Sequence, residues 1–312
     1  MKPDNGTQTG VSVAHGAVYA ASSYFIWGLL PLYWKMLDRI NSMHILAFRI
    51  LLSLILCSVI LLIQKNISWL GFYKERKKGF FLVLAGFSVC ISWGLFIWAV
   101  NGGMTIEAAL GYYITPLISI VLGMVFYREK LNFLQIIAFA LAFAGVLIQT
   151  IMTGSLPWIS LGLAFSFSLY GLMKKTINMP ALETLAVETL VVSPLGLILL
   201  FTPLGTFLDG AHPNPGSISY LLGLPFNILF LLFFAGAATS LPLFLFSKGA
   251  RIIPLTTLGF LQFIAPTMTF LTGVFIFKEY FPLRNLIVFG FIWSAVLVYI
   301  ISLRAGTNKT GT

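Results

Sequence analysis

Two ionisable residues lie inside long apolar segments of this sequence. Arg49 is a few residues into the segment 45–64, and Glu188 is at a similar depth in the segment 183–201. A charge at that depth in a membrane costs roughly 2.5–3.5 kcal/mol on insertion scales, so both side chains are expected to face protein or a wet cavity. Arg49 could bind or gate a carboxylate-bearing substrate; a structural ion pair or extension toward the outer interface is the alternative. Glu188 could carry a proton for coupling or act as a gate, with an interfacial carboxylate as the alternative.

Aromatic side chains are the second group that could form a binding site. Trp27 and Tyr113, with Arg49 and the amide of Gln262, are expected to line one polar and aromatic substrate-binding pocket near mid-membrane. Small-molecule sites are mostly apolar and contain a few placed polar groups, which fits this set. An anchor at the membrane interface is the alternative for any single Trp or Tyr. Further candidates for the same wall are Tyr24, Trp93, Trp98, Asn101, Tyr112, Thr239 and Ser240.

The motifs of common enzymes and metal sites are absent from the sequence. There is no GxxxxGK[ST], HExxH or GxSxG stretch, and the 9 acidic residues lie mostly near segment ends. Cys57 and Cys90 fall within apolar segments, and the 3 histidines are scattered at positions 15, 44 and 212. Neither a disulfide framework nor a metal site is therefore expected. We predict no cofactor, no metal and no enzymatic activity.

The composition places these residues in a lipid bilayer. Of 312 residues, 59% are hydrophobic and 9% are charged, whereas about a quarter of the residues in soluble domains are charged. Apolar segments of roughly 20 residues, enough to cross a hydrocarbon core of about 30 Å, recur along the chain. The sequence predicts an all-α polytopic membrane protein with ten transmembrane helices, at 14–34, 45–64, 79–100, 104–126, 131–150, 157–173, 183–201, 226–247, 254–277 and 282–303.

The basic residues predict how the chain crosses the membrane. With ten segments and a cytoplasmic N-terminus, 14 of the 19 lysines and arginines fall in inner loops and tails and 4 in outer loops. Because inner loops are enriched in Lys and Arg, both termini are expected in the cytoplasm. The longest outer connection, 202–225, contains no Lys or Arg. The net charge of +10 therefore reflects orientation in the bilayer and not binding to nucleic acid.

The chain contains an internal repeat. The stretch ITPLISIVLGMVFYREK at 114–130 is matched by IAPTMTFLTGVFIFKEY at 264–280, so that Pro116 meets Pro266 at an offset of 150. Because a repeat of five segments is odd, its two copies enter the membrane from opposite sides, and such inverted repeats are typical of secondary transporters. Predicted helix breaks or hinges occupy corresponding positions of the copies at Gly111, Pro116, Gly259 and Pro266.

Three glutamates near segment ends are expected to have local roles. Glu107 precedes the fourth segment and is predicted to cap its start, where the helix dipole favours a carboxylate. Glu129 and Glu279 have basic neighbours and are expected to anchor the membrane interfaces.

Several stretches carry a family resemblance. They are FIWGLLPLYWK at 25–35, WAVNGG and EAALGYYITPLISIVLG within 98–123, LYGLMKKT at 169–176, and GAATSLPLFLFSKGAR with TTLGFLQFIAPT within 236–267. With the segments between them, they cover nearly the whole chain. In these stretches the chain resembles the EamA transporters of the drug/metabolite transporter superfamily, and within it the RarD branch.

The resemblance implies two five-helix EamA repeats, at 14–150 and 157–303, with cytoplasmic tails at 1–13 and 304–312. A central cavity would be lined mainly by the first four helices of each repeat. The implied function is a permease of the bacterial inner membrane that moves a small amphiphilic metabolite, such as an amino acid or a drug-like compound, by alternating access. The expected partners are that substrate and the lipid bilayer, without nucleic acid. A membrane scaffold or membrane-embedded enzyme without transport activity is the alternative.

Overall fold

The structure is a computed structural model that describes residues 8–37, 40–101, 105–154, 158–202, 204, 223–278 and 283–307. Within these ranges every regular element is a helix, which confirms the all-α prediction for the described part of the chain. Glu279, the side chain of Glu107 and most of the predicted outer connection 202–225 lie outside the described residues.

The described ranges contain eleven α-helices. They are α1 Gln8–Lys35, α2 Ser42–Ile63, α3 Arg76–Asn101, α4 Thr105–Tyr127, α5 Phe133–Thr153, α6 Trp158–Thr176, α7 Ala181–Phe201, α8 Phe226–Ile252, α9 Leu255–Gln262, α10 Ile264–Leu271 and α11 Leu283–Thr307. A 3₁₀ helix, Ser68–Lys74, precedes α3, and a π-helical turn, Thr272–Ile276, follows α10. α1 begins at Gln8, before residue 14, where the first segment was predicted to start.

Seven helical segments of the described chain are long and apolar enough to cross a membrane. They are Ser42–Ile63, Arg76–Phe96, Phe133–Met152, Ala181–Phe201, Phe226–Ile252, Leu255–Ile276 and Leu286–Leu303. A shorter apolar stretch, Gly111–Tyr127, lies within α4. The chain is therefore a multi-pass membrane protein, while the total of ten spans stays a prediction.

The ninth predicted segment, 254–277, is not one continuous helix. α9 ends at Gln262 and α10 begins at Ile264. Because Pro266 has no N–H, the carbonyl of Gln262, four residues earlier, loses its helical donor. At the same place the hydrogen-bond pattern tightens, because the N–H of Phe263 donates to the carbonyl oxygen of Phe260, three residues back, at 3.4 Å. The segment is thus divided into two helices at Phe263, three residues before Pro266, and a break or hinge at Pro266 itself stays a prediction.

α4 runs without interruption through Gly111 and Pro116, where breaks were also predicted. Oγ1 of Thr115 donates to the carbonyl oxygen of Gly111 at 2.7 Å, and such side-chain bonds help a membrane helix to tolerate proline. Gly259 likewise lies inside α9. Three of the four predicted breaks therefore do not interrupt a helix, and a hinge function of these positions stays a prediction.

The helices of the first half pair with those of the second half. α2 packs against α7, α5 against α11, and α4 against α9. α1, the first helix of the first half, packs against α8, the third helix of the second half. Correspondingly, α3 packs against α6. α6 also contacts α4, as α1 contacts α10. The buried core therefore lies between the two halves of the chain.

The bundle is apolar outside and partly polar inside. Phe226 and Phe133 are 81% and 76% exposed, whereas Ser119 and Thr239 are each 1% exposed. In lipid, helices associate through close packing and interhelical hydrogen bonds, because exposed apolar side chains have no cost there. This distribution is that of a protein surrounded by acyl chains.

Glycine permits the closest helix crossings. A Cβ added at Gly236 of α8 would lie 2.6 Å from the backbone carbonyl carbon of Leu52 in α2. At the same crossing, Oγ of the next residue in α2, Ser53, donates to the carbonyl oxygen of Gly236 at 3.1 Å. A Cβ at Gly259 would lie 2.8 Å from the carbonyl oxygen of Pro116. The backbones of α2 and α8, and of α4 and α9, are thus in direct contact.

Candidate functional site

Arg49 of α2 is held by side chains from three other helices. Its guanidinium carbon is 4.8 Å from the ring centre of Trp34 in α1 and 4.6 Å from that of Trp93 in α3. Its Nε donates to Oγ1 of Thr239 in α8 at 3.0 Å. Among the described residues, no carboxylate pairs with Arg49 and its terminal N–H groups make no hydrogen bond. We call this arrangement the arginine cage.

The arginine cage argues against two alternatives for Arg49, a structural ion pair and extension toward the outer interface. The contact with buried Thr239 directs the side chain into the bundle, not along α2 toward the outer interface. A structural ion pair is absent within the described part of the chain. Because a guanidinium has five N–H donors, the cage leaves donors on its terminal nitrogens for an anionic group.

Trp27 belongs to a cluster of aromatic rings from α1, α6 and α8. Its ring centre is 5.6 Å from that of Tyr24, 5.5 Å from that of Phe167 and 5.6 Å from that of Phe246. Phe246 also stacks on Tyr170, with centres 5.5 Å apart and planes 14° apart. Trp27 therefore packs against other aromatic rings within the bundle. We call these five rings the aromatic cluster.

Glu188 lies next to the aromatic cluster, in a buried ion pair. Nζ of Lys174 in α6 is 2.8 Å from its Oε1, and the two side chains are 1% and 3% exposed. Lys174 Nζ also donates to Oγ1 of Thr184 at 2.7 Å, and the hydroxyl of Tyr170 donates to Oε2 of Glu188 at 3.2 Å. Glu188 is thus no interfacial carboxylate. Lys174, assigned from sequence to an inner loop, is in fact a residue of the core.

Gln262 ends a chain of polar groups that links α9 to α4 and α6. Its Oε1 is 3.0 Å from Oγ of Ser119, which is 3.1 Å from Oγ of Ser168. Oγ of Ser168 in turn donates to the carbonyl oxygen of Thr115 at 3.0 Å. Gln262 is 5% exposed. It is therefore buried at a contact between the two halves of the chain, while its role in substrate binding stays a prediction.

Tyr113 lies in a different part of the core. Its ring centre is 5.6 Å from that of Phe289 in α11, in an edge-on arrangement of 86°. Arg49 is also separate from Trp27, since its partner Trp34 follows Trp27 on α1 by about 10 Å of helix. The structure therefore separates Arg49 and Tyr113 from Trp27, whereas Gln262 lies close to Tyr24, a neighbour of Trp27 in the aromatic cluster. It joins Arg49 with Trp93 and Thr239, which were among the further candidates.

Glu129, predicted as an interfacial anchor, caps the start of α9. Its Oε1 and Oε2 accept the backbone N–H groups of Leu255 and Thr256, both at 2.8 Å. α9 begins after Pro254 and has no capping side chain of its own, so its first N–H groups need an acceptor from elsewhere. Nζ of Lys175 lies 3.8 Å from Oε1. The end of α4 is thereby tied to the start of α9.

Sequence reasoning missed several residues of these sites, among them Trp34, Lys174 and the capping role of Glu129. One signal was present for the ion pair. Tyr170 and Lys174 are four residues apart, as are Thr184 and Glu188, and this spacing places polar side chains on one helix face. Within the described residues, no group of three or more His, Cys, Asp or Glu could hold a metal ion.

The fold and the sequence are both similar to those of known proteins. A solved crystal structure covers 93% of this chain and 98% of its own with a TM-score of 0.68, at 14% identity, which shows the shared fold alone. The EamA-like transporter family matches residues 14–151.

Curated relatives match over nearly their full length. The uncharacterized transporter YojE of Bacillus subtilis is 42% identical over 92% of this chain and 94% of its own. Protein RarD of Escherichia coli is 37% identical over 91% of this chain and 93% of its own. The chloramphenicol-sensitive protein RarD of Pseudomonas aeruginosa is 29% identical over 89% and 90%. With multiple membrane-spanning helices and this extent of similarity, the chain belongs to the EamA family of the drug/metabolite transporter superfamily, in its RarD branch.

Proposed function

We propose that this permease moves a small amphiphilic metabolite that bears a carboxylate, such as an amino acid or a drug-like compound, by alternating access. The observation that carries the proposal is the arginine cage, a cation inside the bundle whose terminal N–H groups bond to no described residue. The guanidinium matches a carboxylate in geometry as well as charge. Trp34 and Trp93 supply apolar surface for the rest of the ligand.

Alternating access is supported by the way the helices pair. α2 with α7, α5 with α11, and α4 with α9 are pairs of corresponding helices if the chain is a repeat of five segments. The turns after corresponding helices also agree, since Arg128 and Lys278 both have φ of 53° and lie 150 positions apart. Two inverted halves around a shared core can alternate by rocking against each other.

The Lys174–Glu188 ion pair is the proposed coupling or gating element. It is buried between α6 and α7 and contacts the aromatic cluster through Tyr170. Ionisable groups inside a membrane bundle commonly mark proton or substrate pathways. A Lys174→Met/Glu188→Gln protein, which has no charge at this site, is expected to lose gradient-driven accumulation and to keep substrate exchange. Equal loss of both activities in folded protein would remove the pair from coupling.

Transport is tested in proteoliposomes with labelled amino acids, each compared with its methyl ester. We expect uptake of at least one amino acid with strong preference over the ester. Arg49→Gln should lower that uptake about tenfold, since a hydrogen bond to a charged group contributes roughly 1.5–3 kcal/mol. The matched control Arg76→Gln removes an exposed arginine and should not change uptake. Equal uptake by Arg49→Gln and the parent protein would contradict a carboxylate site in the cage.

The proposed setting is the bacterial inner membrane with both termini in the cytoplasm. The relatives are bacterial proteins, and YojE of Bacillus subtilis is named as a transporter, which supports a permease over a scaffold or an enzyme. Lys174 is buried and no longer counts as a loop charge. The remaining inner lysines and arginines still greatly outnumber the 4 outer ones, which supports the orientation.

A further inference from the structure

A basic cavity lies where the ends of α6 and α8 meet the first part of α1. Its volume is about 490 Å³, and its lining includes Lys175, Lys248 and Arg251, with Tyr19, Asn178 and Ile252. None of the described residues that line it is acidic. Cavities of about 300–1,000 Å³ are the size range of small-molecule sites. We call it the basic cavity.

The walls of the basic cavity are fixed by close packing. A Cβ added at Gly249 of α8 would lie 2.8 Å from the carbonyl oxygen of Gly16 in α1, so the two backbones touch beside the cavity. Nζ of Lys248 is 5.2 Å from the ring centre of Tyr19. Nη2 of Arg251 donates to Oδ1 of Asn178 at 3.3 Å. Contacts with α1 and with the connection after α6 thus position Lys248 and Arg251 beside the cavity.

The positive charge of the basic cavity is only partly compensated. Lys175 donates to the carbonyl oxygen of Ile253 at 2.6 Å and lies 3.8 Å from the Glu129 carboxylate. Lys248 contacts the rings of Tyr19 and Phe244, and in the described part of the chain neither it nor Arg251 pairs with a carboxylate. Two cations therefore face the cavity with no neutralising protein group among the described residues.

We propose that the basic cavity binds the phosphate headgroup of an anionic phospholipid. Basic pockets between membrane helices at the cytoplasmic face are suited to such headgroups, and the charge bias assigns this end of the bundle to the cytoplasm. Ile252 lines the cavity and is 36% exposed, so an apolar side chain lies beside the cations where an acyl chain would continue. Free phosphate, in contrast, would contact the cations but not the apolar side chain of Ile252. The site is separate from the arginine cage and does not depend on transport.

The test measures lipid binding by native mass spectrometry of the full chain with phosphatidylglycerol and with phosphatidylethanolamine. The parent protein should retain the anionic lipid preferentially. Lys248→Gln/Arg251→Gln should bind it about tenfold more weakly, because each basic residue near the headgroup strengthens binding severalfold. Lys65→Gln/Lys77→Gln, which removes two exposed cations of the 65–78 connection, should bind as the parent does. The charge-preserving Lys248→Arg/Arg251→Lys should retain binding.

Three results would overturn the proposal. One is equal retention of the two lipids by the parent protein, a comparison that needs no variant to fold. Another is unchanged phosphatidylglycerol binding in folded Lys248→Gln/Arg251→Gln protein. The third is complete displacement of the lipid by millimolar inorganic phosphate, which would identify a free anion as the ligand. Because no substrate is used, loss of lipid binding is distinguishable from failure of the proposed transport.

Discussion

At the scale of single residues, two cations inside the bundle have different partners. Lys174 has a carboxylate and a hydroxyl within 2.8 Å. Arg49 has two indole rings and one hydroxyl, with no carboxylate among the described residues. The charge of Lys174 is neutralised by Glu188, whereas no described carboxylate neutralises Arg49, which could therefore bind an anion. This difference is why we assign substrate binding to Arg49 and gating or coupling to Glu188.

The ion pair makes a stability prediction. Glu188→Gln should lower the free energy of unfolding by about 3–5 kcal/mol, because it leaves the Lys174 ammonium buried without a counter-charge. Lys174→Met/Glu188→Gln should recover most of that loss. Thermal unfolding in detergent measures both. The control is Glu75→Gln in the Lys78–Glu75 pair, whose glutamate is 71% exposed and should contribute at most about 1 kcal/mol. Glu188→Gln protein that is as stable as the parent would show that the Lys174–Glu188 pair does not contribute to stability.

At the scale of elements, the start of α9 depends on a residue more than a hundred positions earlier. Arg128 has φ of 53°, which turns the chain at the end of α4 and directs Glu129 toward α9. Gly123 leaves room for the carboxylate, since a Cβ there would lie 2.7 Å from Oε2 of Glu129. This contact joins the two halves of the chain at one end of the bundle. Any rocking of the halves that separates α4 from α9 must break it.

Loss of this cap should therefore be local and measurable. Glu129→Gln is expected to lower the free energy of unfolding by about 1–2 kcal/mol, the usual cost of a lost N-terminal cap. Hydrogen exchange should speed up at the amides of Leu255 and Thr256, which donate to the carboxylate. Gly123→Ala should give the same local effect by displacing the carboxylate. Unchanged protection of both amides in Glu129→Gln would rule out the capping role.

Glycines at helix crossings give a second prediction at this scale. Gly236→Ala should destabilise the protein by about 1–3 kcal/mol, the usual cost of overpacking, because its Cβ would lie 2.6 Å from the Leu52 backbone. Gly94 is the matched control, since a Cβ there meets no atom within 4 Å. Gly94→Ala in α3 should be neutral or stabilise by up to about 1 kcal/mol through helix propensity. Equal thermal stability of the two variants would contradict the direct backbone contact of α2 with α8.

At the scale of the whole molecule, several connections lie at one end of the bundle. Nδ2 of Asn66, after α2, donates to Oε1 of Glu183 at the start of α7 at 2.7 Å. Glu129 at the end of α4 contacts Lys175 near the end of α6. These contacts agree with helices that alternate in direction across the membrane. From the charge bias we propose that this end faces the cytoplasm.

Cysteine labelling tests the orientation. A cysteine placed in 65–78 should react with a membrane-impermeant maleimide only when the cytoplasmic side is exposed, and a cysteine in 204–220 should react from outside intact cells. The native Cys57 and Cys90 are 1% and 5% exposed and should give little background. Labelling of the 65–78 connection from outside would reverse the proposed topology.

Local sequence determined the membrane environment, the all-helical class and the two charges within apolar segments, and it predicts the repeat. Hydropathy, proline positions and a charge within an apolar segment are properties of neighbouring residues, so Arg49, Glu188 and the break near Pro266 could be identified without tertiary contacts. Only the tertiary structure shows which side chains these residues contact. Trp34 reaches Arg49, Lys174 reaches Glu188, and Tyr113 packs away from Trp27, because side-chain packing between helices distant in sequence selects which face of each helix meets which neighbour.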